Sequence, residues 1–228
     1  MLHVIEGLTT AHLADGCVRA GVTPRCAALV SLVSGFRIAG RVLPARHAGS
    51  VDVFLEAIEL SEAGDVLLAD NGGRVDEACI GDLVALEAQR AGLAGIVIWG
   101  LHRDSAELRE IGIPVFSLGC NPCGPLSVHD RDPEALVSAR VGEWTARSTD
   151  VIVADDDGIV ALPLSHLAQI AEAAHKIRTT EIEHARRMRN GESFRSQVRF
   201  GDFLDGRAKD PSLTFRRHLR GAGGSIEE

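Results

Sequence analysis

Between residues 64 and 119 short apolar runs alternate with amphipathic ones, and that alternation restricts the chain to few folds. GDVLLAD (64–70), GIVIWG (95–100) and IPVFSLG (113–119) read as strands, the first closed by the turn-forming run Asp70-Asn71-Gly72-Gly73. IGDLVALEAQRAG (80–92) and SAELREIG (105–112) have helical spacing and stop at Gly92 and Gly112. Strands and helices that alternate across short loops imply parallel β–α units.

The flanks extend this pattern. A helix is expected over 7–21 with a threonine cap and Gly21 as its stop, a strand over 37–47, and a helix over 51–64. After residue 125 the texture turns to strands, with LSVHD (126–130), SARVGEWT (138–145) and VIVADDDGIVALP (151–163) separated by turns. Asp155-Asp156-Asp157 reads as a tight turn, because alternate side chains along a strand point apart. Residues 164–191 read as one long helix between Pro163 and Gly191. The expected organisation is a single domain over residues 1–205 and a mobile C-terminal tail over 206–228.

The composition excludes several function classes. Hydrophobic residues make up 45% and charged residues 25% of 228, so disorder is excluded for most of the length. A net charge of −8 opposes nonspecific binding to nucleic acid, which depends on neutralising phosphates. No run approaches the ~18 apolar residues that span a bilayer, and the N-terminus lacks a basic start and apolar run. The five scattered cysteines suit a reducing compartment, so a cytoplasmic protein is expected. Cys120-Asn-Pro-Cys123 has redox or metal spacing, but Asn-Pro forms a turn and no second cysteine pair completes a zinc site.

In parallel α/β units ligands gather at the carboxyl ends of strands and at helix N-termini. Two segments satisfy this rule. At Ile80-Gly81-Asp82-Leu83 a helix begins after a glycine-rich turn, and its N–H groups suit a carboxylate. At Gly100-Leu101-His102-Arg103-Asp104 an arginine and an aspartate adjoin at a strand end. Arg103 can hold a carboxylate or 2-oxo oxygen through its forked donors, and Asp104 can bind a divalent cation that keeps several waters. The same dipeptide alone also suits a surface ion pair or the cap of the helix at Ser105.

The order of these pieces adds to the reading. GDVLLAD, the glycine turn, IGDL, AGLAGIVIWGLHRD, IPVF and ADDDGIVALP before a long helix together resemble one family over roughly residues 5–195. It is the class II 4-hydroxy-4-methyl-2-oxoglutarate/4-carboxy-4-hydroxy-2-oxoadipate aldolases, grouped with the regulator of ribonuclease activity A. The resemblance implies an α/β fold, a swivelling β/β/α domain with a long C-terminal helix, assembled as a homotrimer or hexamer. It implies retro-aldol release of pyruvate with Mg2+ or Mn2+, often alongside oxaloacetate decarboxylation. In that reading Arg103 binds the pyruvyl oxygens, Asp104 is the metal ligand, and the backbone at Gly81, Asp82 and Leu83 holds the carboxylate. The Asp82 side chain positions a water for proton transfer. Glu181, or else Glu183, reaches the metal waters of a neighbouring subunit.

Two positions depart from the family pattern, His102 before the arginine and Trp99 in the strand. His102 either lines the substrate pocket or turns away to cap a neighbouring element. Two other functions compete with the lyase: a noncatalytic protein-binding regulator of a ribonuclease on the same scaffold, and a methyltransferase. The methyltransferase is disfavoured because no G-x-G-x-G loop follows an early strand.

Overall fold

Residues Val66–Asp70 have no exposed side, so the strand they form must be covered on both faces. The computed structural model describes residues 2–221 and shows how this is done. In chain order its elements are α1 (Thr10–Arg19), β1 (Arg25–Ala27), β2 (Val30–Ser31), β3 (Ile38–Arg46), α2 (Asp52–Glu59), β4 (Val66–Asp70) and β5 (Ala78–Ile80). There follow α3 (Asp82–Arg90), β6 (Gly95–Trp99), β7 (Leu101–His102), α4 (Ser105–Ile111), β8 (Val115–Ser117), β9 (Ser138–Val141) and β10 (Trp144–Arg147). The last are β11 (Asp150–Asp155), β12 (Gly158–Pro163), α5 (Leu167–Arg189), α6 (Phe194–Gln197), α7 (Phe200–Lys209) and α8 (Phe215–Gly221).

The main sheet has the order β1-β12-β11-β3-β4-β6-β8-β2. Its centre, β3-β4-β6-β8, is parallel, as the strand–helix alternation requires. β11, β12 and β1 continue it antiparallel on one side, and β2 closes the other. The period of two divides the buried side chains between the faces. Leu67, Ala69, Ile96 and Ile98 meet Phe54 of α2, Val84 of α3 and Leu108 of α4. Val66, Leu68 and Val97 face the β9–β10 hairpin, which supplies Ala139, Val141 and Ala146. Hairpin, sheet and helices are the three layers of the expected β/β/α domain. At the antiparallel end, Leu13 and Cys17 of α1 and Ile170 and Ala174 of α5 cover Val151, Val153 and Val160.

Several expected elements take another form. LSVHD is not a strand, since Leu126 and Val128 are exposed and the segment pairs with no neighbour in a sheet. SARVGEWT is two strands of a hairpin turning at Gly142-Glu143, whereas VIVADDDGIVALP keeps the expected form, two strands joined by a tight turn at Asp156-Asp157. The tail expected from residue 206 is helical as far as Gly221, and the boundary at 205 falls inside α7. Phe200, Phe203 and Phe215 pack ring against ring there, with Phe203 and Leu219 buried. Residues 222–228 of that tail lie outside the described residues. Among the described residues no helix is long and apolar enough to cross a membrane.

Candidate active site

The short strands β5 and β7 pair in parallel, and this pairing joins the two segments singled out in the sequence. The Arg103 N–H donates to the Ile80 carbonyl at 2.9 Å, which sets the Arg103-Asp104 turn against the start of α3. Asp104 then adopts the left-handed conformation, with φ 57° and ψ 43°. A non-glycine residue there costs about 1–2 kcal/mol, less for aspartate than for most. It is the residue before α4, yet its side chain makes no capping bond to that helix. The strain is not spent on capping. Instead the carboxylate turns back toward Gly81.

Asp104 Oδ2 lies 3.4 Å from the Asp82 N–H nitrogen and 3.4 Å from Arg103 Nε, both long contacts. The Arg103 and Asp104 side chains are 45% and 35% exposed, so both are open to a ligand. Gly81 has an extended backbone that any residue adopts (φ −131°, ψ −161°), so its torsions do not call for glycine. Proximity does: a Cβ built there falls inside the contact shell of Asp104 Oδ2 and 3.2 Å from Arg103 Cγ and Nε. Gly124 is similarly confined, with Arg103 Nη1 2.5 Å from where its Cβ would be. A cavity of about 550 Å³ opens here, lined by Gly81, Asp82, Leu83 and Arg103 together with Val51 and Leu55. The Asp82 carboxylate accepts the Leu83 N–H at 2.8 Å across the first turn of α3.

The residues named from the sequence therefore divide into two groups. Gly81, Asp82, Leu83 and Arg103 line one cavity, and Asp104 adjoins it through its contacts with the Asp82 N–H and Arg103 Nε. Glu181 does not join them within the chain: it is half-exposed on α5 and lies 3.0 Å from His12 Nε2 of α1. Glu183 is held by the guanidinium of Arg186. His102 points away from the cavity, its two ring nitrogens bridging Ser117 Oγ at 2.8 Å and Ser105 Oγ at 3.0 Å. Burial pushes its pKa below the ordinary imidazole value, and Arg109 adds to the effect. Cys120 and Cys123 are free and exposed.

The segment carrying those cysteines has a structural role that the sequence did not reveal. It is pinned by Ala78 N–H to the Cys123 carbonyl (2.8 Å) and by Leu126 N–H to Glu77 Oε2 (2.9 Å). Glu77, 1% exposed, also receives Arg74 Nη1 at 3.0 Å. These bonds set Gly124 against the Arg103 guanidinium. A second unforeseen pair lies at the ends of β3 and β4, where His47 Nδ1 meets Asn71 Oδ1 at 2.8 Å and His47 stacks on Phe54. Among the described residues, His47 Nε2 and Asn71 Nδ2 are buried and meet no hydrogen-bond partner.

Among the described residues no three His, Cys, Asp or Glu side chains cluster as a metal cage. The donor set at Asp104 instead fits a hard divalent cation held by one carboxylate that keeps most of its waters.

A family model for the RraA-like group, described as Aldolase/RraA, matches residues 10–161. The 4-hydroxy-4-methyl-2-oxoglutarate aldolase of Thermus thermophilus is 33% identical over 127 residues, covering 56% of this chain and 76% of that protein. Protein DlpA of Legionella pneumophila is 27% identical over 190 residues, which cover 79% of this chain. Streptomyces coelicolor RraAS2, described as an unusual member of the RNase ES inhibitor RraA family, superposes with a TM-score of 0.69 at 25% identity. That match covers 82% of this chain and 95% of RraAS2. The chain spans only 30% of the length of DlpA, and 61% and 65% of two relatives named as putative aldolases. With the matched region covering the sheet, the cavity and the Arg103-Asp104 turn, the chain belongs to the RraA-like family of aldolase/RraA proteins.

Proposed function

We propose that this chain is a lyase that cleaves a 4-hydroxy-2-oxo acid by retro-aldol reaction and releases pyruvate. The observation that carries the reading is Asp104, strained into a left-handed turn that serves no cap and aimed at the α3 N-terminus beside Arg103. Arg103 binds the 2-oxo head group, its forked donors matching two oxygens. The first-turn N–H groups of α3 donate to the substrate carboxylate. In the reaction the C3–C4 bond breaks, the 4-hydroxyl loses its proton, and the fragment beyond C3 leaves as a carbonyl compound. The bonding pair passes to the pyruvyl fragment as an enolate, whose developing negative charge lies at the Arg103 guanidinium. Asp82, fixed by the Leu83 N–H, holds a water for proton transfer. Mg2+ or Mn2+ held by Asp104 supplies Lewis-acid polarisation of the 2-oxo group when bound. Loss of CO2 from oxaloacetate leads to the same enolate, so oxaloacetate decarboxylation belongs to the proposal.

Assembly into trimers or hexamers also belongs to it, with Glu181 of a neighbouring copy completing the site. Glu181 must then give up His12. The similarity to RraAS2, described as an unusual member of the RNase ES inhibitor RraA family, favours a second reading, a noncatalytic regulator that binds a ribonuclease.

Pyruvate release from 4-hydroxy-4-methyl-2-oxoglutarate, from a 4-hydroxy-2-oxo acid with an alkyl group at C4 and from oxaloacetate, with Mg2+ and with a chelator, separates the two. Chelator-sensitive pyruvate supports the lyase. No pyruvate from any of them, in a folded protein, overturns it and leaves the binding role.

A further inference from the structure

The cavity continues away from Arg103 into a groove between α2 and α3, and the chemistry of its wall bears on the substrate. Val51 and Leu55 on the α2 side face a stripe of α3 in which Leu83 and Leu86 are followed by Glu87 and Arg90. The four apolar side chains are 40–75% exposed, an apolar strip continuous with the candidate active site. Among the described residues the cations that line the cavity are Arg103 and Arg90. Arg103 is taken by the 2-oxo end. Arg90 is the last residue of α3, about 12 Å along the helix axis from Asp82. A C5 carboxylate sits three bonds from the 2-oxo carbon, and the α3 side chains that line the cavity ahead of Arg90 include Leu83 and Leu86, with Asp82 and Glu87 as the charged groups. Placing an unpaired charge there is unfavourable, whereas an alkyl or aryl group is stabilised in proportion to the apolar area it buries.

Resting on the retro-aldol reading above, we infer that the preferred substrate carries an apolar substituent at C4. Cleavage of its C3–C4 bond then yields pyruvate and an apolar aldehyde or ketone, not a second 2-oxo acid. Leu55 and Leu86 are the specificity-determining side chains.

The test compares kcat/KM for pyruvate release from 4-hydroxy-2-oxohexanoate and from 4-hydroxy-4-methyl-2-oxoglutarate, using the Mg2+-loaded full chain. The expected result is at least a tenfold preference for the hexanoate. In Leu55→Arg, a substitution at a half-exposed position, the preference swings toward the dicarboxylate by at least tenfold at unchanged native mass. A wild-type preference for the dicarboxylate overturns the inference and leaves the lyase reading intact. Dissociation of Leu55→Arg into smaller species makes the groove a contact between copies and also overturns it. No pyruvate from either substrate removes the lyase reading and the inference with it.

Discussion

Replacing Gly81 by alanine tests the site through one added methyl group. The Gly81 backbone suits alanine, so no torsional strain arises. The methyl lands within the contact shell of Asp104 Oδ2 and 3.2 Å from Arg103 Cγ and Nε. Both neighbours are partly exposed side-chain atoms and can move, and the carboxylate has to retreat by about 1 Å, a displacement that costs around 100-fold in rate when it misplaces reacting groups. In transition-state terms this is about 2.7 kcal/mol. Stability should fall by only about 1 kcal/mol, the loss of a glycine at the position before α3, which lowers the melting temperature by roughly 2–4 °C for a domain of this size. The assay pairs kcat/KM for Mg2+-dependent pyruvate release with a thermal melt. Wild-type kinetics at a normal melting temperature would refute the claim that the Gly81–Asp104 approach is functional. A melting temperature lower by more than 10 °C would show instead that Gly81 serves the fold.

Asp104→Asn keeps a residue that tolerates the left-handed turn and removes the charge, so the melting temperature should hold while metal-dependent pyruvate release disappears. Retained release would take Asp104 out of the metal site. Arg103→Lys should lose at least 100-fold in kcat/KM, because an ammonium cannot bind two oxygens as the planar fork does. A loss under fivefold would contradict the role given to Arg103. The half-buried imidazole of His47 and the buried one of His102 are both held below the ordinary histidine pKa of 6.5, chiefly by loss of solvent. The unfolded chain therefore takes up protons that the folded chain refuses. Their contribution to stability is complete above the ordinary imidazole range and is lost as pH falls through it toward the folded values. With two such groups the slope reaches at most about 2.7 kcal/mol per pH unit. Urea unfolding at pH 7.5 and pH 5.5 should show this loss, with roughly half of it remaining in His102→Gln, and an unchanged midpoint would refute the linkage.

The parts of the fold legible in the sequence were those with a long enough period. β3, β4, β6, α2, α3, α4 and the long α5 were expected within a few residues of where they lie, because five or more residues of buried pattern leave little ambiguity. The short strands β1, β2, β5 and β7 carry no signal of their own in the sequence, since two or three residues show no periodicity. The C-terminal helices are hidden in the sequence for a different reason. Glycines and charges in 205–221 imitate a solvated tail, and only tertiary contact shows that Phe200, Phe203 and Phe215 form one aromatic cluster.

The site divides along the same line, and the division explains why Arg103-Asp104 was ambiguous as a dipeptide. An arginine beside an aspartate ahead of a helix predicts an ion pair or a cap equally well, since neither chain position nor residue type fixes where the carboxylate points. What decides it is the pairing of β5 with β7, which sets Arg103 beside Gly81. The left-handed turn at Asp104 then withholds its carboxylate from capping α4. Glu77 acts one step further out: its buried carboxylate fixes the Leu126 N–H, and the same segment brings Gly124 against Arg103. A buried glutamate with an arginine three residues earlier reads in sequence as a helical surface pair, although no helix is there. Arg103 is thus confined by two glycines from different segments, 43 residues apart in the chain. The two glycines leave room for the guanidinium to lie close against the start of α3, and a donor placed there before charge develops is what the proposed enolate chemistry asks of Arg103.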